Sequence, residues 1–302
     1  MNIDFQKKAR IWGRLLRTPN LFTVPGDVIA GALWAGTSAF SLDMIWACAG
    51  ILCVYSAGLL FNDYFDREDD ARERPGRPIP SGDISARTVY VSAWIFLGAG
   101  NSMVLAGAGI EPAFASILVS VCVLLYDAGL KKNRAAGPVL MGLCRGGSVI
   151  TGALAAGGFH SSAPAGAAAV TGLYIGLVTF LAADEEKNRE PGPEVFFPAM
   201  AVFGTAAAVL ASAHISGGTV FSLILFTAAG AEAVWAAYRT ETGRIPVPLF
   251  IGRMLRILIV LQAAWSCLAL NREPLLSLLG TAVCFCILRA SAELSSRTFY
   301  GS

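Results

Sequence analysis

Nine consecutive residues, Asn62-Asp63-Tyr64-Phe65-Asp66-Arg67-Glu68-Asp69-Asp70, close a long apolar run. At about 100° per residue on a helix, Asn62, Asp66 and Asp70 spread over only about 80°, with Asp63 at about 100°. The four oxygen-bearing side chains therefore share one face. Carboxylates crowded at the edge of a bilayer repel one another and resist desolvation, so they require cations among them or an opening to water. A hard divalent cation such as Mg²⁺ binds through one or two carboxylates, several waters and a substrate phosphate. The pattern thus predicts a diphosphate–metal site on the face that carries Asn62, Asp63, Asp66 and Asp70. A solvated, acidic helix end is the plainer alternative.

The loop that follows reads Ala71-Arg72-Glu73-Arg74-Pro75-Gly76-Arg77-Pro78-Ile79-Pro80-Ser81-Gly82. Its prolines and glycines exclude a continuous helix and predict a compact, turn-rich course. The planar donor fork of arginine suits diphosphate oxygens. Arg77, held between Gly76 and Pro78, is the strongest candidate; Arg72 and Arg74 equally well mark one side of a membrane. Further on, Lys131 and Lys132 are two point charges on the same membrane face as the carboxylates.

These residues are positioned by apolar segments. Of 302 residues 55% are hydrophobic and 15% charged, and the mean hydropathy is +0.60. Bilayer-length runs fall near 20–38, 43–62, 88–107, 111–127, 139–156, 166–183, 195–214, 217–237, 251–270 and 274–290, the last of them short and following the ninth after only a few residues. All but Arg145 and Arg272 of the 23 basic residues lie in alternate loops or beside them. The positive-inside rule then places the N-terminus and the Asp-rich loops in the cytoplasm. The expectation is an all-α, polytopic transmembrane bundle of nine to ten spans around a central cavity open to the cytoplasmic side. It forms one domain over residues 1–302, with residues 1–18 as an amphipathic helix on the cytoplasmic leaflet. No cleavage site follows the first apolar run, which is expected to remain as a span. The charge of +2 is a topological signal, and no nucleic-acid partner is expected. The seven cysteines sit within spans without metal-ligand spacing, which predicts buried thiols and no disulfide.

The run NDYFDREDD followed by RPGRPIPSG resembles the first signature of the UbiA superfamily of intramembrane prenyltransferases, NDxxDxxxD followed by an RPxPSG-like turn. Tyr126-Asp127-Ala128-Gly129-Leu130-Lys131-Lys132 is similar to the family's Tyr…Leu-Lys-Arg element. The resemblance implies a bundle of about nine helices around a cavity, Mg²⁺ held by two Asp-rich motifs, and transfer of a prenyl group from an allylic diphosphate to an acceptor. It implies that Lys131 contacts the diphosphate and that Tyr126 lines the cavity. The family's second motif, DxxxD, is matched by Asp184-Glu185-Glu186-Lys187-Asn188, where Asn188 replaces the second Asp. Asn retains a carbonyl ligand for a hard cation but contributes no charge. LFTVPGDVIAGAL in the first run and MGLCRG in the fifth, with this altered motif, resemble the EboC-like branch.

Under this resemblance, Asp66, Asp70, Asp184 and Lys131 are the catalytic set, and Asn62, Asp63 and Asn188 complete the metal shell. Arg77, Lys131, Lys132, Tyr126 and Arg145 bind diphosphate. Arg145, inside the fifth run, has two readings: a substrate contact, or an ion pair with Asp27 or Glu232, both intramembrane acids. His160 and His214 lie toward the opposite side and are read as surface residues. The expected partners are a prenyl diphosphate, an acceptor whose identity the sequence does not specify, and membrane lipids. A second function class is a non-catalytic protein that binds or helps transport a lipid or isoprenoid-linked precursor, favoured by Asn188. An ion transporter would carry its acids at mid-membrane, and the DGxxAR…GxxxDxxxD pattern of CDP-alcohol phosphotransferases is absent.

Overall fold

The computed structural model describes residues 3–36, 41–159, 161–185, 192–212, 216–270 and 275–300. Asn188, His160 and His214 lie outside them. Among the described residues the chain is helical throughout: α1 (Ile3–Leu15), α2 (Thr18–Leu21), α3 (Val24–Trp34), α4 (Leu42–Phe65), α5 (Arg67–Glu73), α6 (Ala86–Ala108), α7 (Ile110–Asp127), α8 (Ala136–Ala155), α9 (Ala163–Glu185), α10 (Phe197–Ser212), α11 (Gly217–Glu241), α12 (Val247–Ala269) and α13 (Leu275–Tyr300). Eight helices are long and apolar enough to cross a membrane. They correspond to the second through ninth runs of the sequence.

The first run behaves differently. Its helix α3 has 11 residues, a rise of about 16 Å against the roughly 30 Å of a bilayer core. Pro19 and Pro25 each start a helix, because proline fits the first turn but not the interior. The chain therefore enters as two short pieces, α2 and α3. The tenth run is helical but continues to Tyr300, with Arg289 at the end of the apolar stretch and Glu293 beyond it. Neither α3 nor α13 is among the eight.

Helices α3, α4, α6, α7, α8, α9, α10, α11 and α12 pack each against the next, and α12 returns to α3. Small residues allow the closest approaches, as expected where helices associate in lipid. A Cβ on Gly142 of α8 would lie 2.6 Å from the Gly172 carbonyl of α9, and one on Gly172 would lie 2.8 Å from that of Gly142. Gly50 of α4 and Gly100 of α6 meet the same way. Large apolar side chains such as Leu42, Ile110, Phe114 and Met200 face outward, as a lipid-facing surface requires. Ser41, Ser85 and Ser216 each accept a hydrogen bond from the third backbone amide beyond them, capping α4, α6 and α11. On α1, Ile11 and Leu15 are buried in a cluster with Val54, Leu60 and Phe61 of α4. This face of the N-terminal helix packs on the bundle, with Lys7, Lys8 and Arg10 exposed.

Candidate active site

Helix α4 ends at Phe65, and Asp66 caps it with φ −86° and ψ 0° before α5 begins. The acidic pattern is therefore divided by a bend at Asp66, which the periodicity alone did not show. Helical hydrogen bonding nevertheless runs on, from the Asp66 amide to the Asn62 carbonyl at 3.0 Å and from the Asp70 amide to the Asp66 carbonyl at 2.8 Å. The first motif consequently stays on one side. The C-terminus of α4 adds partial negative charge to carboxylates that already repel one another, and cations are built in among them.

Arg77 reaches Asp70 at 2.7 Å and Asp63 at 3.4 Å through Nη1. Arg17 donates to Asn62 Oδ1 at 2.8 Å and lies 3.4 Å from Asp63. Lys131 Nζ sits 2.6 Å from Asp66 Oδ1 and 3.7 Å from Asp127 Oδ1. The amide of Asn62 donates to Asp66 at 3.1 Å and to Asp127 at 3.3 Å. Asp63, Asp70 and Asp127 are buried, and Arg77 and Lys131 half-buried. Among the described residues no three His, Cys, Asp or Glu side chains converge as a ligand group for a metal, because the carboxylates turn toward these cations. Their oxygens still suit a hard cation that takes one or two carboxylates and completes its shell with water and phosphate.

The loop that delivers Arg77 is as compact as its composition predicts. Ser81 N donates to Arg77 O at 2.9 Å, Gly82 N to Ile79 O at 3.1 Å and Ile84 N to Pro78 O at 3.3 Å. Gly82 takes φ +77°, a conformation that glycine adopts without strain. Pro78 is buried, and Arg14 of α1 donates to the Gly76 carbonyl at 2.5 Å. Arg72 and Arg74 are exposed.

The structure gathers Asn62, Asp63, Asp66, Asp70, Arg77 and Lys131 at one end of the bundle. Tyr126 is half-buried beside Asp127. Lys132 does not join the cluster: its side chain is 72% exposed and pairs with Asp69 at 3.2 Å. Asp184 lies in the last turn of α9. Arg145 is elsewhere in the interior, where it pairs with Asp27 rather than Glu232. Its Nε lies 2.9 Å from Asp27, its Nη2 donates to the Thr23 carbonyl at 2.9 Å, and Gln262 donates to Asp27 at 2.6 Å. Glu232 instead pairs with Arg289 of α13 through both oxygens at 2.8 Å.

Two residues of the cluster escaped the sequence reading. Arg17 was one basic residue among many; its role depends on a left-handed φ of 43°, uncommon for a side chain with a Cβ. Asp127 had a usable signal, because it stands four residues before Lys131, a spacing that brings opposite charges together.

The model of the UbiA prenyltransferase family matches residues 27–242. The chain belongs to this family. It is 33% identical over 144 residues to a digeranylgeranylglyceryl phosphate synthase of Methanothrix thermoacetophila, covering 47% of this chain and 53% of that protein. A synthase of the same name from Methanospirillum hungatei is 27% identical over 198 residues, covering 65% and 70%. The chain thus spans about half the length of the first of these relatives. The fold matches an apo UbiA homologue from Aeropyrum pernix with a TM-score of 0.62 at 19% identity, over 81% of this chain and 96% of that one. It also matches a UbiA homologue from Archaeoglobus fulgidus bound to GPP and Mg²⁺, with a TM-score of 0.54 at 16% identity over 94% and 99%. Family membership and the eight long apolar helices make this UbiA-family chain an integral, multi-pass membrane protein.

Proposed function

We propose that the chain transfers a prenyl group from an allylic diphosphate to an acceptor within the membrane, releasing diphosphate, with Mg²⁺ as cofactor. The observation that carries this reading is the interleaving of Arg17, Arg77 and Lys131 with Asp63, Asp66, Asp70 and Asp127 at one end of an apolar bundle. Such a site offers donors to a phosphate and hard oxygens to a cation. Arg77 would orient the diphosphate through its guanidinium fork, and Lys131 would follow the negative charge that grows as the allylic C–O bond breaks. Asp66, Asp70 and Asp184 would hold the metal, with Asn62, Asp63 and Asn188 around them. When bound, Mg²⁺ supplies electrostatic stabilisation to the departing diphosphate. The apolar side chains of the bundle would keep water from the reacting allylic carbon.

The cationic loops would face the cytoplasm. Within the family we assign the chain to the EboC-like branch. Asp27 and Arg145, which come from the two segments that suggested it, are partners at 2.9 Å.

The test supplies protein in nanodiscs with Mg²⁺, geranylgeranyl diphosphate and a membrane-lipid extract, and follows inorganic diphosphate release and prenylated products by mass spectrometry. Transfer that is lost in Asp66→Asn supports the reading; no release above the protein-free control overturns it. Binding without release would instead favour the second reading, a non-catalytic isoprenoid-binding protein, to which Asn188 points. Asn188→Asp separates the two readings further. As an anionic ligand it should lower the Mg²⁺ concentration needed for diphosphate binding, whereas an unchanged titration would place residue 188 outside the metal site.

A further inference from the structure

Two arginines converge on one exposed tryptophan, Trp235 of α11. The guanidinium carbon of Arg239 lies 4.9 Å from the centre of its ring, and that of Arg253, on α12, lies 4.6 Å away. A cation is drawn to an aromatic face, and most strongly to that of tryptophan, but two guanidinium groups on one ring repel each other. Nearby arginines are neutralised: Arg256 Nε sits 3.0 Å from Glu293, and Arg289 Nη2 sits 2.8 Å from Glu232. Arg239 and Arg253 are not. Among the described residues neither side chain forms an ion pair or donates a hydrogen bond, and the Nε of Arg239 is buried without an acceptor. The two positive charges are therefore held together with no anion from the protein.

We propose that Arg239, Arg253 and Trp235 form a site for the phosphate of an anionic phospholipid on the outer face of the α11–α12 hairpin. Trp235 stands about 20° round the helix from Ile224, on the face that also carries Val220 and Tyr238, all exposed. That face is apolar along its length, as a surface in contact with acyl chains must be. Trp235 and Arg253 each lie about 9 Å inside the helix ends that meet at the connecting turn, a depth at which indole rings sit beside lipid headgroups. Gly243, at φ +68°, ends α11, and the amides of Arg244 and Ile245 donate back to the Arg239 carbonyl at 2.8 and 3.0 Å. This closure turns the chain into α12 and brings Arg253 back to the tryptophan. Arginine stems can lie along apolar surface while their heads reach the interface, and the planar fork matches phosphate oxygens. A zwitterionic lipid carries its own ammonium beside the phosphate, so the unpaired arginines favour a headgroup with net negative charge. None of the three residues belongs to the acidic cluster, and the inference stands apart from the prenyl-transfer reading.

The test strips the full chain of lipid in a neutral detergent and follows, by native mass spectrometry, the binding of phosphatidylglycerol or phosphatidylcholine with the same acyl chains. Wild type should bind phosphatidylglycerol at least about tenfold more tightly. Arg239→Gln combined with Arg253→Gln should erase most of that preference. Arg72→Gln combined with Arg74→Gln removes the same charge from an exposed loop and should change it less than about threefold. If the first glutamine pair does not fold, Arg239→Lys with Arg253→Lys decides: it keeps the charge but loses the fork, and should still weaken phosphatidylglycerol binding about threefold. Inorganic phosphate in millimolar excess should leave the bound lipid in place. Wild type without a preference, or an equal loss in both glutamine pairs, overturns the site. Undiminished binding in the lysine pair does the same, and displacement by inorganic phosphate overturns the lipid as its occupant.

Discussion

At the scale of single residues, the buried pair of Asp27 and Arg145 shows how a membrane interior tolerates charge. Each is almost fully enclosed, and Thr23 and Gln262 supply further hydrogen bonds. Removing one partner strands the other in a medium of low dielectric, a change that costs about 3–5 kcal/mol, whereas apolar replacement of both is often neutral. Arg145→Met should therefore lower the unfolding midpoint in detergent markedly, and Asp27→Leu combined with Arg145→Met should recover most of the loss. Equal midpoints for wild type and Arg145→Met would show that the pair is not holding α3 to α8. The residue types of the candidate site were largely legible in the sequence, since Asn62, Asp66, Asp70, Arg77 and Lys131 all reach one place. What the sequence did not show was partnership. Lys131 and Lys132 are neighbours of identical chemistry, and only the short 3-10 turn of Leu130–Lys132 sends one inward and the other to Asp69. Arg17 depends on a backbone conformation that no local pattern announced.

At the scale of elements, the separation of the helices is set by glycine rather than by bulk. Gly142 and Gly172 let α8 and α9 touch backbone to backbone, which places the Asp184-bearing end of α9 beside the segment that follows Lys131. Gly172→Val would put carbon where the Gly142 carbonyl lies, and overpacking of this kind costs about 1–3 kcal/mol. Its unfolding midpoint should fall, whereas Gly166→Val, on the same helix with nothing near its Cβ position, should leave it nearly unchanged. If both variants unfold like wild type, the α8–α9 contact is looser than described. The long helices were legible because an apolar run of bilayer length admits few structures other than a helix. Hydropathy does not register Pro25, which starts the short helix α3 within the first run.

At the scale of the whole molecule, contacts among distant segments gather residues 14–17, 62–77 and 127–132 at one end of the bundle. In the topology we propose from the alternating basic loops, that end faces the cytoplasm. Ser81 and Ser161 are both exposed, at the loops following α5 and α8. In a cysteine-free background, single cysteines at these positions should label from opposite faces of the membrane; labelling from the same face would refute the topology. On the proposed function, the bundle would act as an apolar enclosure with a charged floor, keeping water from a reacting isoprenoid diphosphate.

The central claim is that this charged floor binds an allylic diphosphate together with a divalent cation. Its most direct test is calorimetric titration of a non-hydrolysable geranylgeranyl diphosphate analogue into the protein in nanodiscs, with and without Mg²⁺, for wild type, Asp66→Asn, Asp70→Asn and Arg77→Ala. Saturable, Mg²⁺-dependent binding should appear in wild type and weaken in each variant by at least about tenfold, which corresponds to about 1.4 kcal/mol. Binding that ignores Mg²⁺, or that is the same in all four proteins, would contradict it.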